Sequence, residues 1–108
     1  ILIIDNGLDR GWSRIVELDP IAKEIVWEYA AGKPVEFFSL LKGSSQRLSN
    51  GNTLVANSGS GEAFELTRFA DIVWDFWNPN ADVEGKRATI ARAKRYRGAW
   101  LESLIVRP

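Results

Sequence analysis

At 108 residues, with 45% apolar and 26% charged side chains, the chain has room for one folded domain and the composition of a globular rather than a disordered protein. Fourteen basic residues balance fourteen acidic ones, which excludes a polycation built to coat nucleic acid, and no apolar run approaches the roughly 20 residues of a membrane span. Cysteine and histidine are both absent, which removes disulfides, thiolate and imidazole metal ligands, a cysteine nucleophile and a histidine base; no cofactor is expected and self-contained catalysis is disfavoured.

In chain order, Ile1-Leu2-Ile3-Ile4 opens without a basic region ahead of an apolar one, so no signal peptide is read, and the compartment stays open. Alternating β-branched and aromatic residues predict strands over 2–5, 14–18 and 24–29, then over 45–48, 53–57, 62–66 and 72–76, with a last strand near 89–96. In residues 24–29 the alternation places Ile25, Trp27 and Tyr29 on one face, and in 71–76 it does the same for Ile72, Trp74 and Phe76. Turn chemistry separates the runs. Asp5-Asn6-Gly7 and Ser58-Gly59-Ser60-Gly61 punctuate two connections, and Asn50-Gly51 suits a two-residue type I′ hairpin, which needs two positive φ angles. Residues 30–43 and 78–85 read as crossing loops, and 99–106 as a short terminal helix.

The chain repeats itself. Val16-Glu17-Leu18 matches Phe64-Glu65-Leu66, and Glu24-Ile25-Val26-Trp27-Glu28-Tyr29 matches Asp71-Ile72-Val73-Trp74-Asp75-Phe76, with one gap between the two matches. A period of this length suits propeller blades and some helical arrays, and the alternation inside the unit decides for strands. The fold class expected is all-β, with antiparallel four-stranded β-propeller blades: about two blades, the first incomplete (1–43), the second over 44–85, and an inner strand of a next blade plus a tail over 86–108.

The run Gln46-Arg47-Leu48-Ser49-Asn50-Gly51-Asn52-Thr53-Leu54-Val55, followed by Ala63-Phe64-Glu65-Leu66-Thr67 and Asp71–Phe76, resembles a blade of the arylsulfotransferase-like β-propellers, with Ser49 in place of the usual proline. Ser13-Arg14-Ile15-Val16-Glu17-Leu18-Asp19-Pro20 with Glu24–Tyr29 is similar to the second half of the preceding blade. Quinoprotein propellers share part of this pattern and are the nearest competitor. Enzymes of the resembled family transfer a sulfuryl group between phenols through a channel histidine, which many blades carry three residues before the Gln-Arg-Leu run. Gly43 stands there in this chain, followed by Ser44 and Ser45, and no other histidine takes over. The resemblance therefore implies a non-catalytic repeat segment with a binding or structural role, or a portion of a sulfotransferase-like or quinoprotein-like enzyme whose catalytic residues lie on other blades. It also implies that Ser44, Ser45, Gln46 and Tyr96 face a channel.

Six of the fourteen basic residues (Lys86, Arg87, Arg92, Lys94, Arg95 and Arg97) fall within a dozen positions that hold no acid. The plain reading is a solvated surface that pairs with the acidic remainder. The functional reading is an anion site built by Arg47, Arg92, Lys94 and Arg95 for a sulfate ester or phosphate, with nucleic acid unlikely. Trp27 and Trp74 read as core between blades rather than as ligand platforms, and Trp12, Trp77 and Trp100 as packing near loops. Asn78, Asn80, Asp82 and Glu84 alternate oxygen donors but lack the glycine spacing of a calcium loop, so a polar turn is expected. Lys42 beside Ser44 and Ser45 shows no base–nucleophile spacing. Two blades cannot close a ring, so a homo-oligomer is expected, most simply a trimer in which the 89–96 strand of one copy completes the first blade of the next.

Overall fold

Seven of the alternating runs become antiparallel strands in the computed structural model, which describes residues 1–31, 37–39 and 42–96. Strands β1 (Leu2–Asp5), β2 (Arg14–Asp19) and β3 (Glu24–Tyr29) form a three-stranded sheet in sequential order. Strands β4 (Ser44–Arg47), β5 (Thr53–Asn57), β6 (Glu62–Leu66) and β7 (Ile72–Trp77) form a four-stranded one, also sequential. The chain is all-β. Among the described residues the only helical turn is the 3-10 segment Ser58–Ser60, and no helix is long and apolar enough to cross a membrane. The expected terminal helix at 99–106 and Trp100 lie outside the described residues.

Two local expectations need correction. The β4–β5 hairpin is not a two-residue type I′ turn. Leu48 accepts from the Gly51 amide and donates to the Asn52 carbonyl, and of Asn50 and Gly51 only Gly51 has positive φ, at 89°. This is the longer loop in which one left-handed residue follows an ordinary turn, and the Asn50 carboxamide steadies it by accepting from the Asn52 amide. The strict alternation of β3 and β7 also fails. Glu17 pairs with Trp27 but Leu18 with Ile25, so Val26 is an extra residue; Glu65 pairs with Trp74 but Leu66 with Ile72, so Val73 is extra. A bulge of this kind turns the strand over. Ile25 therefore lies with Leu18, while Trp27 lies with Glu17 on the opposite face. Ile72 and Trp74 are separated in the same way.

The core forms where the two sheets meet. Ile15 and Tyr29 of the first sheet pack with Phe37 and with Val55, Phe64 and Leu66 of the second, and Leu2, Ile4, Trp27 and Ala31 close round them. The Tyr29, Phe37 and Phe64 rings form a triangle with centroids 5.9–6.0 Å apart, two of the three pairs edge-on, the arrangement that ring quadrupoles favour. Ser13 ties the crossing loop to the first sheet: its amide donates to the Phe37 carbonyl and its hydroxyl accepts from the Ser39 amide.

The expected last strand at 89–96 takes no regular secondary structure and joins no ladder among the described residues. It crosses the face of the second sheet that points away from the first, and side chains hold it there. Ser44 Oγ accepts from the Ala93 amide at 3.1 Å, and the Gln46 carboxamide accepts from the Arg95 amide and donates to its carbonyl at 2.8 and 3.0 Å. Side chains two apart on β4 thus grip backbone groups two apart on the segment, in place of a strand-to-strand ladder.

Candidate functional site

Arg47 ends β4 on the face toward the first sheet. Its Nη2 meets Glu17 Oε1 of β2 at 2.8 Å, and its guanidinium lies 4.7 Å over the Trp27 ring of β3. Glu17 and Trp27 are directly opposed across the β2–β3 pair, so one arginine bridges a carboxylate and an indole that the sheet already presents side by side. Trp27 Nε1 in turn donates to the Arg68 carbonyl in the β6–β7 turn at 3.0 Å. All three contacts join one sheet to the other.

The same clasp is built a second time. Arg95, 48 positions after Arg47, pairs through Nη1 with Glu65 Oε1 of β6 and lies 5.1 Å over the Trp74 ring of β7. Glu65 and Trp74 are directly opposed across the β6–β7 pair. Glu65 is buried at 6% exposure, and Asn52 Nδ2 donates to its other oxygen at 2.8 Å. The Asn52 hydrogen bond, helped by Arg95, holds the Glu65 carboxyl below its ordinary range. In both clasps a later strand or segment supplies the arginine to an earlier Glu–Trp pair.

The expected site residues therefore divide. Arg47, Arg95, Gln46 and Tyr96 come together around a cleft of about 330 Å³ that also touches Ser49 and Asn50. The cations Arg47 and Arg95 are already engaged there by Glu17 and Glu65. Arg92 and Lys94 are exposed, with Lys94 Nζ 5.4 Å from the Tyr96 ring. Ser44 grips Ala93, whereas Ser45 pairs opposite Val55 on the other face of β4. Asp82 accepts from the amides of Glu84 and Lys86, and Asn78 from that of Asn80, so these oxygens brace a polar turn. Lys42 accepts through its carbonyl from Asn6 and Ser39.

Sequence reasoning missed Glu17 and Glu65 as partners, and it missed that each described tryptophan carries an arginine: Arg10 on Trp12, Arg47 on Trp27, Arg95 on Trp74 and Arg87 on Trp77, at 4.3–5.1 Å. The signal was the spacing itself, since Arg47 and Arg95 stand as far apart as Glu17 and Glu65.

Between the outer strands lies a cavity of about 380 Å³, walled by Tyr29, Phe37, Phe64, Ile72 and Trp77 and edged by Glu62. Burial pushes the Glu62 carboxyl above its ordinary value of 4.5; Asp75 adds to the shift, while Asn57 and Arg87 oppose it. A carboxyl raised by folding contributes stability below its unfolded value and loses that contribution as pH rises through the folded one. Glu62→Gln is therefore expected to raise the unfolding midpoint at pH 7, with the gain vanishing below pH 4.5. Denaturant titrations at both pH values check this, and a variant no more stable than wild type at pH 7 would contradict it.

No family model matches the chain, and neither a curated protein nor a solved structure is significantly similar to it.

Proposed function

We propose that the chain is a non-catalytic β-propeller segment similar to the arylsulfotransferase-like proteins. Its two sheets serve as consecutive blades, and its role is structural and adhesive rather than enzymatic. The observation that carries this reading is the doubled clasp: Glu17–Arg47–Trp27 and Glu65–Arg95–Trp74 use the same residue types, the glutamates and the arginines each 48 positions apart and the tryptophans 47, and each receives its arginine from the next unit along the chain. The matched bulges at Val26 and Val73 support it, as do the left-handed residues Lys23 and Ala70 that precede β3 and β7. In this reading β4 is the innermost strand of the second blade, and the described residues hold no counterpart of it beside β1.

The chemistry of the clasp favours adhesion. An arginine over an indole contributes about 0.5–1 kcal/mol at exposed sites and more when desolvated, and a planar guanidinium can satisfy a carboxylate at the same time. The cleft between Arg47 and Arg95 has the charge for a small anion, which would compete with Glu17 and Glu65 for both guanidinium groups. Of the usual catalytic groups, histidine and cysteine are missing from the whole sequence.

Incubation of the chain with p-nitrophenyl sulfate and phenol is expected to release no nitrophenol above buffer, while Arg47→Ala lowers the melting temperature. Turnover that copurifies with the protein peak, or a melting temperature indifferent to Arg47→Ala, would overturn the reading.

A further inference from the structure

Among the described residues, each sheet lacks something that the other end of the chain displays. β5 has β4 along one edge, in the register Ser44↔Ala56, Ser45↔Val55, Gln46↔Leu54 and Arg47↔Thr53. β1, the corresponding strand of the first sheet, has β2 on one side and, among the described residues, no strand on the other. An unpaired edge of this kind is a template for another strand. Residues 92–95 are the counterpart of 44–47: Arg95 makes toward Glu65 and Trp74 the contacts that Arg47 makes toward Glu17 and Trp27. Their alternate backbone groups are gripped by Ser44 and Gln46, and they have no ladder partner among the described residues.

The faces match as the edges do. Inside the chain, the face of the first sheet that holds Ile15, Trp27 and Tyr29 is covered by the face of the second that holds Val55, Phe64 and Leu66. The far face of the second sheet carries Trp74 and Phe76, stacked on one another and 43% and 45% exposed. The far face of the first sheet carries Ile3 and Ile25, the counterparts of Val55 and Ile72, at 40% and 47% exposed. The turns correspond as well. Thr67 Oγ1 accepts from the Phe69 and Asp71 amides before β7, and Asp19 Oδ1 accepts from the Ile21 and Ala22 amides before β3. The radius of gyration, 15.5 Å, exceeds the ~13 Å of a closed domain of this length.

We infer that residues 92–95 of one copy add to the open edge of β1 in a second copy, antiparallel and in the register Arg92↔Ile4, Ala93↔Ile3, Lys94↔Leu2 and Arg95↔Ile1. The second copy's first sheet then covers Trp74 and Phe76, as the second sheet covers Trp27 within one chain. The Trp74 indole donates to a carbonyl of the 20–21 turn of that copy, as Trp27 does to Arg68. Strand addition of this type gains its affinity from main-chain hydrogen bonds. The contact is head-to-tail and closes into a ring at the right rotation, which removes the free edges. The inference rests on the blade reading given above.

The absence of cysteine from the chain allows a direct test. Ala93→Cys and Ile3→Cys, made in separate chains carrying tags of different size and then mixed under mild oxidation, are expected to give the mixed disulfide dimer. Opposed strand positions satisfy disulfide geometry, and docking should favour this dimer about tenfold or more over Ile3→Cys mixed with Glu84→Cys. The intrachain pair Ser45→Cys/Val55→Cys, opposed across β4 and β5, reports whether the second sheet is built as described. Closure of that pair without enrichment of the 93–3 dimer, or sedimentation as a monomer at micromolar concentration, overturns the assembly and leaves the blades standing. Failure of the intrachain pair to close overturns both.

Discussion

Truncation of Phe64 to alanine is expected to cost about 3–5 kcal/mol, the range for deleting a buried phenyl ring from a packed core. Phe64 is 3% exposed on β6, an inner strand of the second sheet, and it meets Tyr29 of the first sheet and Phe37 of the crossing loop at centroid distances of 6.0 and 5.9 Å. The ring thus joins three separate parts of the chain, and none of them can collapse into its space without moving a sheet. Against a total stability of about 5–15 kcal/mol such a loss is large. Equilibrium denaturation measures it, with Phe69→Ala as the comparison, because Phe69 is 87% exposed and its removal should cost no more than about 0.5 kcal/mol. A loss at Phe64 as small as that at Phe69 would mean that the two sheets do not pack through this ring.

Gly61→Ala should be nearly as damaging, and its effect should reach the second clasp. Gly61 ends the 3-10 turn between β5 and β6 in the left-handed region, at φ 68°, where an L-residue other than glycine costs roughly 1–2 kcal/mol. The new methyl group would also fall within the van der Waals radius of the Ala88 carbonyl oxygen, on the segment that carries Ala93 and Arg95. That carbonyl accepts from Asn78 Nδ2, and the Ala88 amide donates to Asn80, so displacement there loosens the anchor of the whole crossing. Gly51→Ala isolates the backbone component: Gly51 has φ 89°, and nothing lies within 4 Å of its added methyl group. Gly61→Ala is expected to lose more stability than Gly51→Ala and to speed hydrogen exchange at the Ile90, Ala93 and Arg95 amides. Equal losses in the two variants, with exchange at Ala93 unchanged, would show that the Ala88 contact does not hold the segment down.

Strand positions were legible because the determinants are local. Ile-Val-Trp alternation bounded by Asp19-Pro20 and by Ala30, or by Thr67 and Asn78, leaves few alternatives to an extended run between turns. The recurrence of Glu, Trp and Arg at matched spacing was present in the letters too. Their meeting was not, because residues 30 positions apart come together only when the two sheets dock, for Arg47 and Glu17, or when the segment after β7 crosses back over the second sheet, for Arg95 and Glu65.

The bulges mark the same boundary between local and tertiary information. Ile25-Val26-Trp27 reads as alternation whether or not Val26 is an extra residue, since the choice depends on which residue of β2 stands opposite. A one-residue shift moved Ile25 away from Trp27 and onto the opposite face. The hairpin at Asn50-Gly51 shows the limit of propensity: the dipeptide tolerates two positive φ angles, yet the pairing of Leu48 with Asn52 requires one. The sequence alone determined the all-β character, the strand spacing and the absence of histidine and cysteine chemistry, because each is a property of neighbouring residues or of composition. The tertiary structure decided which face Trp27 and Trp74 present, which carboxylates Arg47 and Arg95 meet and that residues 92–95 join no ladder among the described residues, because those depend on pairing partners distant in the chain.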